Sequence, residues 1–181
     1  MALETITTLT YDDYALIPSD GRRHEIIDGE HYVNPAPNSK HQRVVVNLVM
    51  AMAAFVKRHG LGHVYVAPYD VVLSSGDVLQ PDVLFITSER EALITDANLQ
   101  GAPNLVIEIL SPSTRKLDQT VKLRRYDRFG VDEYWIVDPE SETVAIYRRD
   151  AMRLVSVDPG DPLISPLLPG FSLDMRDVFA E

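Results

Sequence analysis

The chain has 181 residues, 45% hydrophobic and 24% charged, which fits one globular domain with a sizeable apolar core. It has no cysteine, which excludes disulfides, thiolate zinc sites and cysteine nucleophiles and is compatible with a reducing compartment. With 27 acidic against 17 basic residues the net charge is −10, which argues against indiscriminate binding to nucleic acid through a broad basic surface. Met1-Ala2-Leu3-Glu4-Thr5 shows no basic segment followed by an apolar core, so no signal peptide is expected. The longest nearly apolar stretch, Val44 to Phe55, contains Asn47 and falls short of the roughly 20 residues that span a bilayer. The expectation is a cytoplasmic protein with no membrane partner. No repeat, low-complexity tract or linker divides it, so residues 1–181 are read as a single domain.

In chain order, Tyr11 to Leu16 reads as a short opening helix. His24 to Ile27 and Glu30 to Val33 read as strands around Asp28-Gly29, a dipeptide that favours a tight hairpin. Pro35-Ala36-Pro37-Asn38-Ser39 is a loop in which Asn38 or Ser39 caps the following helix. That helix is expected to run to about His59, with Gly60 as its stop and Val45, Leu48, Val49, Met52 and Val56 facing the core. Two strands, His63 to Leu73 and Val78 to Ile86, are joined by Ser74-Ser75-Gly76-Asp77, and Asn104 to Leu110 forms a third apolar run. Ser111-Pro112-Ser113 breaks the chain before a helix from about Leu117 to Phe129. Glu133 to Val137 and Val144 to Arg148 form a hairpin around Asp138-Pro139-Glu140. The Pro-rich tail after Asp158 reads as irregular structure ending in a short helix. The sum is an α/β (α+β) fold, a mixed β-sheet flanked by helices.

Two carboxylates fall where strand logic does not want them. Asp82 follows Pro81 at the head of Asp82-Val83-Leu84-Phe85-Ile86, and Glu108 lies inside Leu105-Val106-Ile107-Glu108-Ile109-Leu110. A buried carboxylate needs a cation, hydrogen-bond donors or a metal. The strand period of two puts Glu108 on the face of Val106 and Leu110, and Asp82 meets it if the two strands are neighbours about 4.8 Å apart. Paired carboxylates repel, and a hard divalent cation with oxygen ligands removes that cost; Mg²⁺ needs only one or two carboxylates beside water and phosphate. Alone, Asp82 reads as a strand-entry residue, and Glu108 equally as half of a buried ion pair or as a functional group. Together they point to a site.

Asp118, Lys122 and Tyr126 follow at steps of four and share one helical face. The loop Ser111 to Lys116 returns this helix beside the strand of Glu108, which brings the Lys122 ammonium near both carboxylates. There it orients or deprotonates an attacking water, or stabilises developing phosphorane charge. The other reading is a surface pair with Asp118, worth only about 0.3–0.5 kcal/mol. Arg115, Lys116, Arg124, Arg125 and Arg128 make the one local basic patch, either a phosphate contact or an ordinary solvated face.

Pro81-Asp82, then Val106 through Thr114 with its Ser-Pro-Ser turn, then Asp118, Lys122 and Tyr126, then Gly130-Val131-Asp132-Glu133-Tyr134-Trp135-Ile136-Val137-Asp138-Pro139, resemble the Uma-two family. His24-Glu25-Ile26-Ile27-Asp28-Gly29-Glu30 and Pro37-Asn38-Ser39-Lys40-His41-Gln42-Arg43 join the resemblance, which covers about Tyr11 to Phe171. It implies a restriction-endonuclease-like PD-(D/E)XK fold, DNA as substrate, Mg²⁺ (or Mn²⁺) as cofactor, and Asp82 and Glu108 as metal ligands. The wider superfamily places a lysine two residues after the acid on the same strand. Here that position is Leu110, and the resemblance implies that Lys122 has taken the role from the helix. It also implies places for Glu25, as a further ligand or a strand-edge carboxylate, and for His41, as a phosphate contact or a packed helix-end histidine. Tyr126 touches phosphate or supports Lys122.

His24-Glu25-Ile26-Ile27-Asp28 falls short of the metalloprotease HExxH, since Asp28 stands where the second histidine belongs. There is no P-loop, no GxGxxG and no Gly-x-Ser-x-Gly elbow. Three readings follow. The first is an endonuclease with Asp82, Glu108 and the Ile109 carbonyl on one or two Mg²⁺ and Lys122 beside them, acting as a homodimer because cutting both strands takes two sites. The second is a catalytically inactive nuclease-fold protein that binds nucleic acid or regulates. The third, a glycoside hydrolase with Asp82 and Glu108 as acid and base, leaves Lys122 and the basic helix unexplained.

Overall fold

The computed structural model describes residues 8–158 and 160–181; Met1 to Thr5, read above for a signal, lie outside them. Helix α1 (Tyr11–Tyr14) leads into β1 (Arg23–Ile27) and β2 (Glu30–Asn34), paired antiparallel around Asp28-Gly29. Helix α2 (Ser39–His59) follows, its start fixed by the Asn38 side chain on the His41 amide and its end by left-handed Gly60. Strands β3 (Gly62–Val66), β4 (Val71–Ser74), β5 (Asp77–Leu79) and β6 (Val83–Thr87) come next, then a 3-10 turn Ser88–Leu93, β7 (Leu99–Gln100) and β8 (Leu105–Ile109). Residues 115–129 are helical in three pieces: α3 (Arg115–Leu117), a π turn (Asp118–Lys122) and α4 (Leu123–Phe129). Strands β9 (Glu133–Asp138), β10 (Thr143–Arg148) and β11 (Arg153–Ser156) and helix α5 (Met175–Phe179) complete the chain. No helix among the described residues is long and apolar enough to cross a membrane.

The sequence reading expects a mixed sheet, and the structure has two. Six strands run in the order β11-β10-β9-β8-β6-β3 and five in the order β2-β1-β5-β4-β7. The expected strands His63 to Leu73 and Val78 to Ile86 are each cut in half, one half going to each sheet. Proline explains both cuts, since Pro68 and Pro81 carry no amide hydrogen for the ladder. The chain therefore crosses from the five-stranded sheet into the six-stranded one at Gln80-Pro81-Asp82. The edge strand β11 was not legible as a strand, being short and exposed throughout.

The central strands are buried on both faces. Val83, Phe85, Leu105, Ile107 and Trp135 pack with Leu48, Met52 and Val56 of α2. On the reverse face Val106, Leu110, Tyr134 and Ile136 meet Ile27, Leu79 and Tyr126, so the helix of residues 115–129 and the second sheet cover that side. The strands consequently read as continuous apolar runs rather than alternating ones.

Gly62 opens β3 at φ +142°, and a Cβ there would run into the carbonyl of Ile86 on the neighbouring strand. Gly62→Ala is expected to cost more than about 1 kcal/mol, from strain and lost pairing of β3 with β6. Denaturant melts check this, and an unchanged midpoint would contradict it.

Candidate active site

Strands β6 and β8 are antiparallel neighbours with Val83 opposite Ile107, so one step further along the register Asp82 faces Glu108. Both carboxylates are buried and line a cavity of about 150 Å³ together with Ile109, Asp118 and Lys122. Asp82 is held from three sides. Its Oδ1 accepts from Arg23 Nη1 at 2.8 Å. Its Oδ2 accepts the Ile109 amide at 2.9 Å and faces His41 Nε2 at 3.1 Å. The cap on the His41 amide sets this, because it puts His41 in the first turn of α2.

Glu108 sits on the reverse face of β8, as its period predicts. Its Oε1 accepts from Lys122 Nζ at 3.0 Å and from the Tyr126 hydroxyl at 3.1 Å. Lys122 is 1% exposed and also lies 3.0 Å from Glu25 and 3.4 Å from Asp118. In an α-helix a step of four overshoots one turn by about 40°. The wider π turn from Asp118 to Lys122 undershoots, so the following α turn brings Tyr126 back onto the same side. The Tyr134 hydroxyl donates to the Asp118 carbonyl at 3.0 Å and holds that turn in place. Leu110, where a strand lysine would stand, packs instead with Tyr126 in the apolar cluster.

The electrostatics separate the two strand carboxylates. Burial pushes Asp82 up, but the His41 hydrogen bond and the Arg23 charge outweigh it and hold the carboxyl at about 2. Burial dominates at Glu108, with Asp118, Asp82 and Glu25 adding to it against Lys122, and the carboxyl lies well above its ordinary value. Asp118 is raised for the same reason, burial, against Lys122 and Thr114. Burial opposes the charge on Lys122, yet Glu108, Glu25 and Asp118 more than reverse this and hold the ammonium above the ordinary lysine value. The surrounding carboxylates thus favour Lys122 as an ammonium, a fixed cation beside Glu108.

The oxygen-rich donor set suits a hard divalent cation. Glu25, Asp82, Glu108 and Asp118 face two fixed cations, Lys122 and Arg23. The carboxylates also repel one another, which with burial raises Glu108 and Asp118, and a divalent cation among them would relieve that repulsion. Asp118 Oδ1 accepts no hydrogen bond. By donor chemistry the residues that line the cavity thus fit a divalent cation, with Asp82 and Glu108 as the carboxylates nearest one another in the register, each paired here with a cationic side chain, Arg23 or Lys122. A larger cavity of about 610 Å³, bordered by Asp132, Glu133 and Arg148, lies at the start of β9 and contains none of these groups.

Residues 11–176 match the Uma2 family, described as “Putative restriction endonuclease”. The chain belongs to that family. A crystal structure of a “putative nuclease belonging to DUF820” from Anabaena variabilis shares the fold, with a TM-score of 0.83 and 21% identity over 95% of this chain and 98% of that one. No curated protein matches the chain.

Other residues of this Uma2 protein fall differently from the sequence reading. Glu25 has both oxygens taken, by the Gln80 amide and Lys122 on one side and Asn34 Nδ2 on the other, so it positions Lys122 rather than opening toward a metal. Tyr126, read as a phosphate contact or a support for Lys122, is fully buried behind Glu108, to which its hydroxyl donates. Arg125, offered as a phosphate contact, pairs with Asp28 and Asp77 and ties the helix to two turns away from the cavity. Arg115 is forked onto Asp138 at 2.7 and 3.0 Å and anchors the helix start against β9. Arg23, Asn34, Gln80 and the acidic role of Asp118 were missed. One signal was available, because Arg23 lies two residues before Glu25 and so on the same strand face.

Lys122→Met leaves three buried carboxylates without their cation, and is expected to destabilise the fold by about 3–5 kcal/mol. A denaturation midpoint within about 1 kcal/mol of the parent would mean that the ammonium is not buried as described. The Asp82 carboxyl is depressed in the folded state, so its stabilisation is full above the ordinary carboxylate value and disappears as pH falls through about 2. Asp82→Asn should therefore flatten the stability loss between about pH 4 and 2, an effect on the order of 2 kcal/mol, in pH-dependent melts.

Proposed function

We propose that this Uma2 protein is an endonuclease of the cytoplasm that hydrolyses DNA phosphodiester bonds at Asp82 and Glu108 with a divalent cation, Mg²⁺ or Mn²⁺. The observation that carries this reading is the pairing of two buried carboxylates across β6 and β8, at one cavity, with a buried lysine fixed on Glu108. Family membership supports nuclease chemistry in general. A divalent cation held there by Asp82 and Glu108 would supply Lewis-acid polarisation of a phosphoryl oxygen and positive charge for the leaving oxygen.

The protein's own groups have separable tasks. The Ile109 amide and His41 hold the Asp82 carboxylate in one orientation. Lys122 favours the ionised form of Glu108, which burial alone would protonate, and adds fixed positive charge beside the cavity. The Ile109 carbonyl is the further oxygen donor of this reading. Cutting a duplex through takes two such sites, so the reading includes a homodimer.

One observation favours the second reading, a nuclease-fold protein that binds without cutting. Among the described residues no group of three or more His, Asp or Glu stands arranged for a metal. Arg23 and Lys122 occupy the carboxylates instead. An acid–base pair for glycosidic bonds is disfavoured, because both carboxylates are tied to these cations.

The two readings part in one assay. Supercoiled, linear and single-stranded DNA are incubated with the protein and Mg²⁺ or Mn²⁺. The wild type is expected to cut. Asp82→Asn and Glu108→Gln are expected to lower the rate by roughly two orders of magnitude or more. Cutting by the wild type with undiminished cutting by both variants would show the site to be misplaced. Metal binding with no cutting of any DNA form would favour the second reading.

A further inference from the structure

Arg23 stands in the wall between two cavities. On one side lies the 150 Å³ cavity of Asp82 and Glu108; on the other lies one of about 440 Å³ bordered by Ser19, Arg22, Gln42 and Val45. Arg23, His41 and Asp82 border both. The guanidinium is fixed at two points, Nη1 on Asp82 Oδ1 and Nη2 on the Gln80 carbonyl, each at 2.8 Å, while its buried Nε has no partner.

Charge singles this second cavity out. The chain carries −10 overall, yet the charged residues here are Arg22, Arg23 and Asp82, which leaves a positive balance. Of the other cations near Glu108, Lys122 is caged by three carboxylates and cannot leave. Among the described residues Arg23 has a single carboxylate partner, and that partner is the residue assigned to the divalent cation. When Asp82 turns to the cation, Arg23 Nη1 is released and, with the unpartnered Nε, stands free at the cavity wall, while Nη2 stays on the Gln80 carbonyl and holds the guanidinium in place.

We propose that the 440 Å³ cavity is a phosphate subsite for the nucleic-acid substrate, and that its binding residue, Arg23, is held in reserve on Asp82 until the cation takes its place. The inference rests on the nuclease reading above. It makes binding ordered: cation first, phosphodiester second. It also explains how an acidic protein holds a polyanion, since the local positive field appears only where and when the site is loaded.

The test separates metal affinity from DNA affinity in Arg23→Met. Mn²⁺ uptake is read by electron paramagnetic resonance, and DNA binding by the anisotropy of a short fluorescein-labelled phosphorothioate duplex with Mg²⁺ present. Removing the competing cation should tighten Mn²⁺ several-fold, whereas the duplex should bind roughly tenfold more weakly, the weight of one charge-assisted hydrogen bond. Weaker or unchanged Mn²⁺ uptake overturns the proposal. So does an unchanged duplex affinity. If the wild type itself takes up neither Mn²⁺ nor duplex, the nuclease reading falls as well; if it binds both, only the proposal for Arg23 is at stake.

A measurement on the wild type removes dependence on the variant's folding. The ¹⁵N–¹H signal of Arg23 Nε, assigned by its loss in Arg23→Lys, should move on adding Mg²⁺ and again on adding dimethyl phosphate. Dimethyl phosphate without Mg²⁺ should leave it in place. A signal that ignores Mg²⁺, or that responds to the phosphodiester equally well without it, overturns the proposal.

Discussion

The Lys122 ammonium, enclosed by Glu108, Glu25 and Asp118, is the contact on which the rest of the site depends. Each carboxylate comes from a different element: β8, β1 and the π turn. One cation therefore joins the six-stranded sheet, the five-stranded sheet and the helix. Such a cluster is a poor way to gain stability, because well-packed apolar residues of similar volume do as well or better. Removing one member is nevertheless costly, since the remaining charges stay buried. A cluster that is expensive to break and unnecessary for packing is best understood as a site built into the fold.

The two sheets make that site possible. Pro81 ends β5 and opens β6, and the crossing leaves Asp82 at the junction, within reach of β1, α2 and β8 together. A strand continuing straight through would have kept Asp82 in a ladder, with neighbours from one sheet only. The same crossing puts the Gln80 amide on Glu25 and the Gln80 carbonyl on Arg23. Backbone groups freed from strand pairing thus become the fixings of the charged side chains.

The periodic features were legible from the residues. The Asn38 cap, the Gly60 stop, the apolar run around Glu108 and the Asp118–Lys122–Tyr126 face appear as read, because each follows from local spacing; the α2 stripe is turned slightly, with Val44 buried beside Leu48, Met52 and Val56 and Val45 and Val49 half-buried at its rim. The division into two sheets was not legible in the apolar pattern, which looks the same in either sheet; only the prolines marked it. Arg125 and Arg115 looked like a basic patch because sequence shows charge without partners. The partners Asp28, Asp77 and Asp138 come from turns and strands distant in sequence. Arg23 was hidden for the opposite reason, as one arginine beside a histidine at a strand start.

The pairing of these arginines bears on the acidic composition. Net charge describes the field far from the surface, where salt screens it within about 10 Å. A phosphate within hydrogen-bond reach responds to the few groups around it. Here Lys122, Arg115 and Arg125 are each paired with acids, so these cations add little positive field outside the fold. Loading Asp82 with a divalent cation changes the balance at one wall, where Arg22 and Arg23 already outnumber the acids. An acidic nuclease-fold protein with its arginine tied down is therefore consistent with a site whose affinity for a polyanion depends on the cation arriving first.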